Sequence, residues 1–167
     1  LSPEGEIKKK ISLYPVLQEN VPSVRWTPLH TFGIHTKDIK EMIYQKKRRP
    51  YIFKESSLQD IFHTNTVEIV DRDIEGICKK GNLLICSREL DLVGILDIET
   101  EKLVWQWGPG QLSKPHHPIL LENGHILIFD NGVTEGRSRI IELDPLAEKI
   151  VWEYKTDPPE KFYSKTR

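Results

Sequence analysis

The chemistry this sequence can offer is concentrated in His63, Asn65, Arg88, His116, His117, Asn131 and Arg139. Imidazole serves as acid, base or nucleophile near neutral pH. One imidazole stands in His63-Thr64-Asn65 and two in Pro115-His116-His117-Pro118. Asn65 adds an amide donor for an oxygen that gains charge. Arg88 and Arg139 each carry a fork of donors that suits a sulfate, phosphate or carboxylate. Asn131, in Asp130-Asn131-Gly132, reads either as a ligand contact or as a turn residue that tolerates the left-handed conformation. Adjacent residues on an extended strand point to opposite sides, so only one of His116 and His117 faces a shared site. His30, His35 and His125 read as scaffold.

Residues so far apart in sequence act together only if the fold gathers them, and an internal repeat supplies the means. Gly81-Asn82-Leu83-Leu84-Ile85-Cys86-Ser87-Arg88 lines up with Gly124-His125-Ile126-Leu127-Ile128-Phe129-Asp130-Asn131. Lys102-Leu103-Val104-Trp105-Gln106-Trp107 lines up with Lys149-Ile150-Val151-Trp152-Glu153-Tyr154. The first pair of segments is offset by 43 residues and the second by 47, with the extra residues falling around Val133 to Arg137. Asp97 and Asp144 each precede their tryptophan by eight residues. Each unit holds three short β-rich runs between Gly, Asn or Asp turns, and a fourth run precedes each: Thr66–Val70 and Pro118–Leu121. Four short strands at this period predict an all-β chain of four-stranded antiparallel β-propeller blades. In a propeller the first strand of each blade lines a central channel. The segments containing His63 and His116 lead into two such strands and so converge on one mouth. Trp105, Trp107 and Trp152 recur with the unit and are expected to pack between blades.

The organisation that follows is the end of a preceding blade over 1–21 and an irregular connection or insertion over 22–60. Blades follow over 61–109 and 110–156, and 157–167 leads to a further blade not present. A short helix is expected from Asp38 to about Lys46, where Ile39, Met42 and Ile43 share one face. Two or three blades cannot close a ring, so the chain reads as a fragment of a larger propeller.

Composition narrows the function classes. Lys and Arg number 24 against 25 Asp and Glu, for a formal net charge of −1, which disfavours a general nucleic-acid partner. No apolar run approaches the length of a membrane helix. Cys78 and Cys86 lack zinc-ribbon or CxxC spacing, and Cys86 reads as a small buried hydrophobe. The histidine spacings match no standard zinc pattern, no glycine-rich phosphate loop sits between a strand and a helix, and no GxSxG elbow occurs. Neither metal nor cofactor is expected.

From about Asp60 to Tyr154 the chain resembles the arylsulfotransferase family, propeller enzymes that do not use the nucleotide sulfate donor. The resemblance is carried by Asp60-Ile61-Phe62-His63-Thr64-Asn65-Thr66-Val67 and Gly81–Arg88, then by Pro115-His116-His117-Pro118 through Leu121-Glu122-Asn123-Gly124. Ile128-Phe129-Asp130-Asn131-Gly132 and Ser138-Arg139 complete it. It implies a six-bladed ring, a periplasmic or extracellular location, and transfer of a sulfuryl group from a small-molecule aryl sulfate to a phenol through a transiently sulfated histidine. On that resemblance His116 is the nucleophile, His63 and Asn65 bind oxygen, and Arg88 binds the sulfuryl group. His117 stands where a related motif often has aspartate, and a one-residue shift of the match exchanges the two histidines. The segment from Val70 to Gly81 is longer than the usual connection. Two other readings stay open: a non-enzymatic propeller that binds a protein or glycan, and a quinone-dependent dehydrogenase-like propeller.

Overall fold

The computed structural model describes residues 4–20 and 62–164. They belong to two compact units, Leu1–Ile61 and Phe62–Arg167. In the first unit a helix, α1 (Leu13–Asn20), stands where the end of a preceding blade was expected, and no strand forms among that unit's described residues. Pro15 falls in its first turn, where a missing N–H breaks no intrahelical bond. Val16 and Leu17 are buried. The helix expected from Asp38, together with His30 and His35, lies outside the described residues.

The second unit holds two four-stranded antiparallel sheets, each pairing its strands in chain order. The first comprises β1 (Thr64–Ile69), β2 (Leu83–Ser87), β3 (Leu92–Asp97) and β4 (Lys102–Trp107). The second comprises β5 (Pro115–Leu120), β6 (Ile126–Asp130), β7 (Arg139–Asp144) and β8 (Lys149–Tyr154). The all-β arrangement follows the repeat. The first strands begin earlier than their apolar runs suggest, so His116 and His117 lie within β5 rather than ahead of it.

The repeat extends to backbone detail. Asp97 Oδ1 accepts from the N–H groups of Glu99 and Thr100, and Asp144 Oδ1 accepts from those of Leu146 and Ala147. Both carboxylates therefore close the same hairpin, a local role that accounts for their fixed distance from the tryptophans. Glu101 and Glu148, at the end of that turn, share a left-handed φ of 56° and 51°. A bulge interrupts the pairing of β3 with β4 at Ile95/Leu96 and of β7 with β8 at Glu142/Leu143, the corresponding place in each sheet.

The core lies between the sheets. Ile126, Ile128, Ile141 and Leu143 of sheet 2 pack with Leu84, Cys86, Val93, Ile95 and Trp105 of sheet 1. Each fully buried aliphatic side chain contributes roughly 1.5–3 kcal/mol. β6 alternates buried and half-buried residues, the signature of a sheet covered on one face, whereas β3 is buried from Leu92 to Leu96. Trp105 is 9% exposed and donates its indole N–H to the Pro145 carbonyl at 3.1 Å, tying sheet 1 to sheet 2. Trp107 is half-buried against the same core, and Trp152, the counterpart of Trp105 in the second sheet, is 48% exposed.

After β8 a single 3-10 turn, Pro159–Lys161, returns the chain to sheet 2. Ser138 N–H donates to the Phe162 carbonyl, and the Phe162 ring meets Phe129 and Tyr154 edge-on. The long Val70–Gly81 connection folds on itself through an Ile74–Cys78 bridge, and Arg72 reaches across to the Leu121 carbonyl.

Candidate functional site

The starts of β1 and β5 carry one irregularity each. In β1 the register shifts between Thr64 and Thr66, so Asn65 is the extra residue of a bulge. In β5 it shifts between His116 and Ile119. A bulge re-aims the side chains around it. The residue ahead of each strand, His63 in one and Lys114 in the other, has a left-handed φ of 45° and 60°, and His117 has one of 50°. These are non-glycine residues in a conformation that L side chains seldom adopt.

The bulges bring two imidazoles together. The rings of His63 and His116 lie 6.1 Å apart between centroids, inclined at 67°. His116 is half-buried and His117 exposed, because the left-handed turn at His117 swings its side chain outward. Strand alternation alone left the choice between them open.

The surroundings of His116 set its chemistry. Nδ1 lies 3.1 Å from the Lys114 carbonyl oxygen. A carbonyl only accepts, so this contact is made by the tautomer that carries its proton on Nδ1, and it leaves the Nε2 lone pair available. The Asn131 amide nitrogen stands 3.1 Å from the same Nδ1, a contact that belongs to the opposite tautomer. Lys114 and Asn131 thus compete for one nitrogen and govern which end of the ring is nucleophilic. Burial pushes the His116 basicity down, the Lys114 carbonyl works against that, and the Arg88 and His63 charges add to it, so that the ring is held below its ordinary 6.5. Near neutral pH His116 is an uncharged imidazole.

Asn65 is half-buried, and its amide donates to the Pro115 carbonyl at 3.0 Å, clasping β1 to β5 next to the histidines. Cys86 Sγ approaches the same carbonyl at 3.3 Å. Both cysteines are buried and free, and burial pushes the Cys86 thiol up to about 12 despite its hydrogen bond with Asn65. Arg88, in the turn after β2, donates its backbone N–H to the His63 carbonyl and pairs its guanidinium with Glu89. Asn131 is fully buried beside His116.

Arg139 is placed differently. Its Nε donates to Asp130 at 2.9 Å, Nη1 to Glu153 at 3.1 Å and Nη2 to the Gln111 carbonyl at 2.6 Å. All three nitrogens are engaged within the protein, and none of these contacts is with an imidazole. His125 Nδ1 lies 2.6 Å from Glu142 Oε1, outside the imidazole pair. Lys114 and Glu89 are the site residues that motif reasoning missed. The apolar runs alone set Pro115 opposite His63, and Lys114 takes that place only on the observed strand starts, Thr64 and Pro115.

Residues 26–167 match the arylsulfotransferase (ASST) family. The chain belongs to that family. No curated protein and no solved structure matches it. This arylsulfotransferase-family chain therefore places an imidazole pair, a guanidinium and two amides around the starts of its two first strands. Among the described residues no group of three His, Cys, Asp or Glu side chains is set to hold a metal ion, and no helix is long and apolar enough to cross a membrane.

Proposed function

We propose that the two sheets are successive blades of a propeller and that the imidazole pair transfers a sulfuryl group from an aryl sulfate to a phenol. The observation that carries this reading is the 6.1 Å approach of His63 to His116, which lets one small tetrahedral anion touch both rings. His116 Nε2 attacks sulfur, and the N–S bond forms as the bond from sulfur to the aryl oxygen breaks. The departing phenolate takes a proton from the His63 imidazolium. In the second half-reaction His63 takes the proton of the acceptor phenol, whose oxygen attacks sulfur and releases His116. The sulfated ring is positively charged, and the Lys114 carbonyl accepts from its Nδ1–H. Arg88 faces the charge that develops on the sulfuryl oxygens. Asn65 supports this arrangement by holding β5 against β1 through its bond to the Pro115 carbonyl. Arg139 acts on the fold, through Asp130. The family resemblance supports a location in the periplasm or outside the cell.

The test is incubation of the full-length protein with a chromogenic aryl sulfate and a phenol. Donor phenol should be released with ping-pong kinetics, and rapid quenching at alkaline pH should trap one sulfated histidine. His116→Ala should abolish both, whereas His117→Ala should retain them. Turnover that survives His116→Ala would remove the mechanism. If neither variant differs from an inactive wild type, the favoured reading becomes a propeller that binds a partner without catalysis.

A further inference from the structure

The proposed chemistry leaves one carboxylate at the site without a role. Glu89 is half-buried, and both its oxygens are occupied by cations: Oε1 by Arg88 Nη1 and Oε2 by Lys114 Nζ at 2.8 Å. Its backbone is fixed as well, because Arg88 and Glu89 donate their N–H groups to the carbonyls of His63 and Phe62 at 3.2 and 3.1 Å. The dipeptide Arg88–Glu89 is thereby laid against the dipeptide Phe62–His63. On the far side, Glu89 grips the residue whose carbonyl meets His116 Nδ1. Lys114 is 8% exposed, and its backbone N–H donates to Asp91 at 2.8 Å, so its left-handed conformation is held from both ends.

We infer that Glu89 is the positioning residue of the site, a buried-side clamp that couples Arg88 and His63 of one sheet to Lys114 and hence His116 of the next. The inference rests on the sulfuryl-transfer reading for its consequence and on geometry for its substance. Three of the four groups are joined to Glu89 or to its neighbour by a direct hydrogen bond, and the fourth, His116, by one intermediate. Burial opposes ionisation of the Glu89 carboxyl, but Lys114 and Arg88 outweigh it and hold the group below its ordinary value, so it is a carboxylate throughout the working range. The groups that act on His116 come from each neighbouring segment: the charges of His63 ahead of β1 and of Arg88 and Glu89 after β2, and the backbone carbonyl of Lys114 ahead of β5. Glu89 is the anionic member of that set. It favours the His116 imidazolium while Arg88 and His63 oppose it.

The test compares Glu89→Gln and Glu89→Asp in the full-length protein. The His116 ring is titrated by proton NMR, and kcat and KM are measured with a chromogenic aryl sulfate. Glu89→Gln removes the anion and should move the His116 midpoint to lower pH, with a fall in kcat of about tenfold or more. Glu89→Asp keeps the charge but is one methylene too short to span both cations. It should leave the midpoint near the wild-type value and still lower kcat. A midpoint unmoved in Glu89→Gln overturns the inference whether or not the protein turns over aryl sulfates, because that reading needs no activity. A moved midpoint in a protein without transferase activity supports the clamp while refuting the reaction. If Glu89→Gln does not fold, Glu89→Asp decides by its Lys114 side chain: an unchanged Lys114 Nζ environment by heteronuclear NMR overturns the clamp, and a released one supports it.

Discussion

Replacing Gly132 with alanine tests whether the loop after β6 positions Asn131 beside His116. Gly132 has φ +58°, and a Cβ placed there would stand 1.7 Å from the Arg137 carbonyl oxygen and 2.9 Å from its carbon. Both atoms are backbone, so no side-chain rotation relieves the contact and the turn from Gly132 to Arg137 must open. That turn is closed by hydrogen bonds from Glu135 and Arg137 N–H to the Gly132 carbonyl, and Gly132 N–H donates to the Ser113 carbonyl at 2.9 Å. An L residue in the left-handed region costs about 1–2 kcal/mol, and each hydrogen bond lost costs about 1 kcal/mol. With two or three bonds broken, Gly132→Ala should destabilise by about 3–5 kcal/mol. Gly81→Ala is the control. Its φ is +92°, but nothing stands within 4 Å of the added Cβ, so only the conformational cost applies. Urea unfolding of the two variants measures the difference, which is the clash alone. Because Asn131 precedes Gly132 and meets His116, Gly132→Ala should also slow transfer more than Gly81→Ala does. Equal losses of stability in the two variants would refute the reasoning.

Asn65→Ala removes the donor to the Pro115 carbonyl and leaves that acceptor with the weak Cys86 thiol. It should cost about 1–3 kcal/mol in urea unfolding, and a loss below about 0.5 kcal/mol would mean the clasp between sheets contributes little. Cys86 should resist iodoacetamide at pH 8 until the protein unfolds, since burial keeps its pKa near 12; native-state labelling at the rate of a free thiol would contradict its placement. His116 is held below 6.5 in the folded chain, so between its folded value and 6.5 the unfolded chain binds more protons. Stability should therefore fall as pH drops through that window and be level above it. His116→Gln should flatten this slope, and a slope that survives the substitution would assign it to another group. The same depression should place the acid limb of kcat/KM below pH 6.5.

The strands were legible because their sequence signals are local. Leu83–Ser87 and Ile126–Asp130 are apolar runs behind a glycine with positive φ, and Asp97 and Asp144 close the hairpins that follow. The site was legible in part, and the missing part has one cause. His116 and His117 have the same side chain and adjacent positions, and what separates them is backbone: a bulge in β5 and a left-handed φ at Lys114 and His117. Neither residue is glycine or asparagine, so no residue type announces the turn. His63 repeats the case ahead of β1. Left-handed conformations at such residues persist only where surrounding contacts impose them. Here those contacts come from other segments. The His63 carbonyl is held by Arg88, and Lys114 is held by Asp91 and Glu89. Arg139 shows the converse. As a cation beside a polar turn it is indistinguishable from Arg88 in sequence, yet Asp130, Glu153 and Gln111 engage all three of its nitrogens. What sets Arg139 apart from Arg88 lay in its partners across β6 and β8, which spacing along the chain does not encode. The strained backbone and the imidazole pair coincide in space, and both depend on the Arg88–Glu89 turn. The site is thus a property of how the two sheets are joined, and a variant that leaves every imidazole in place but loosens that join should lose the chemistry.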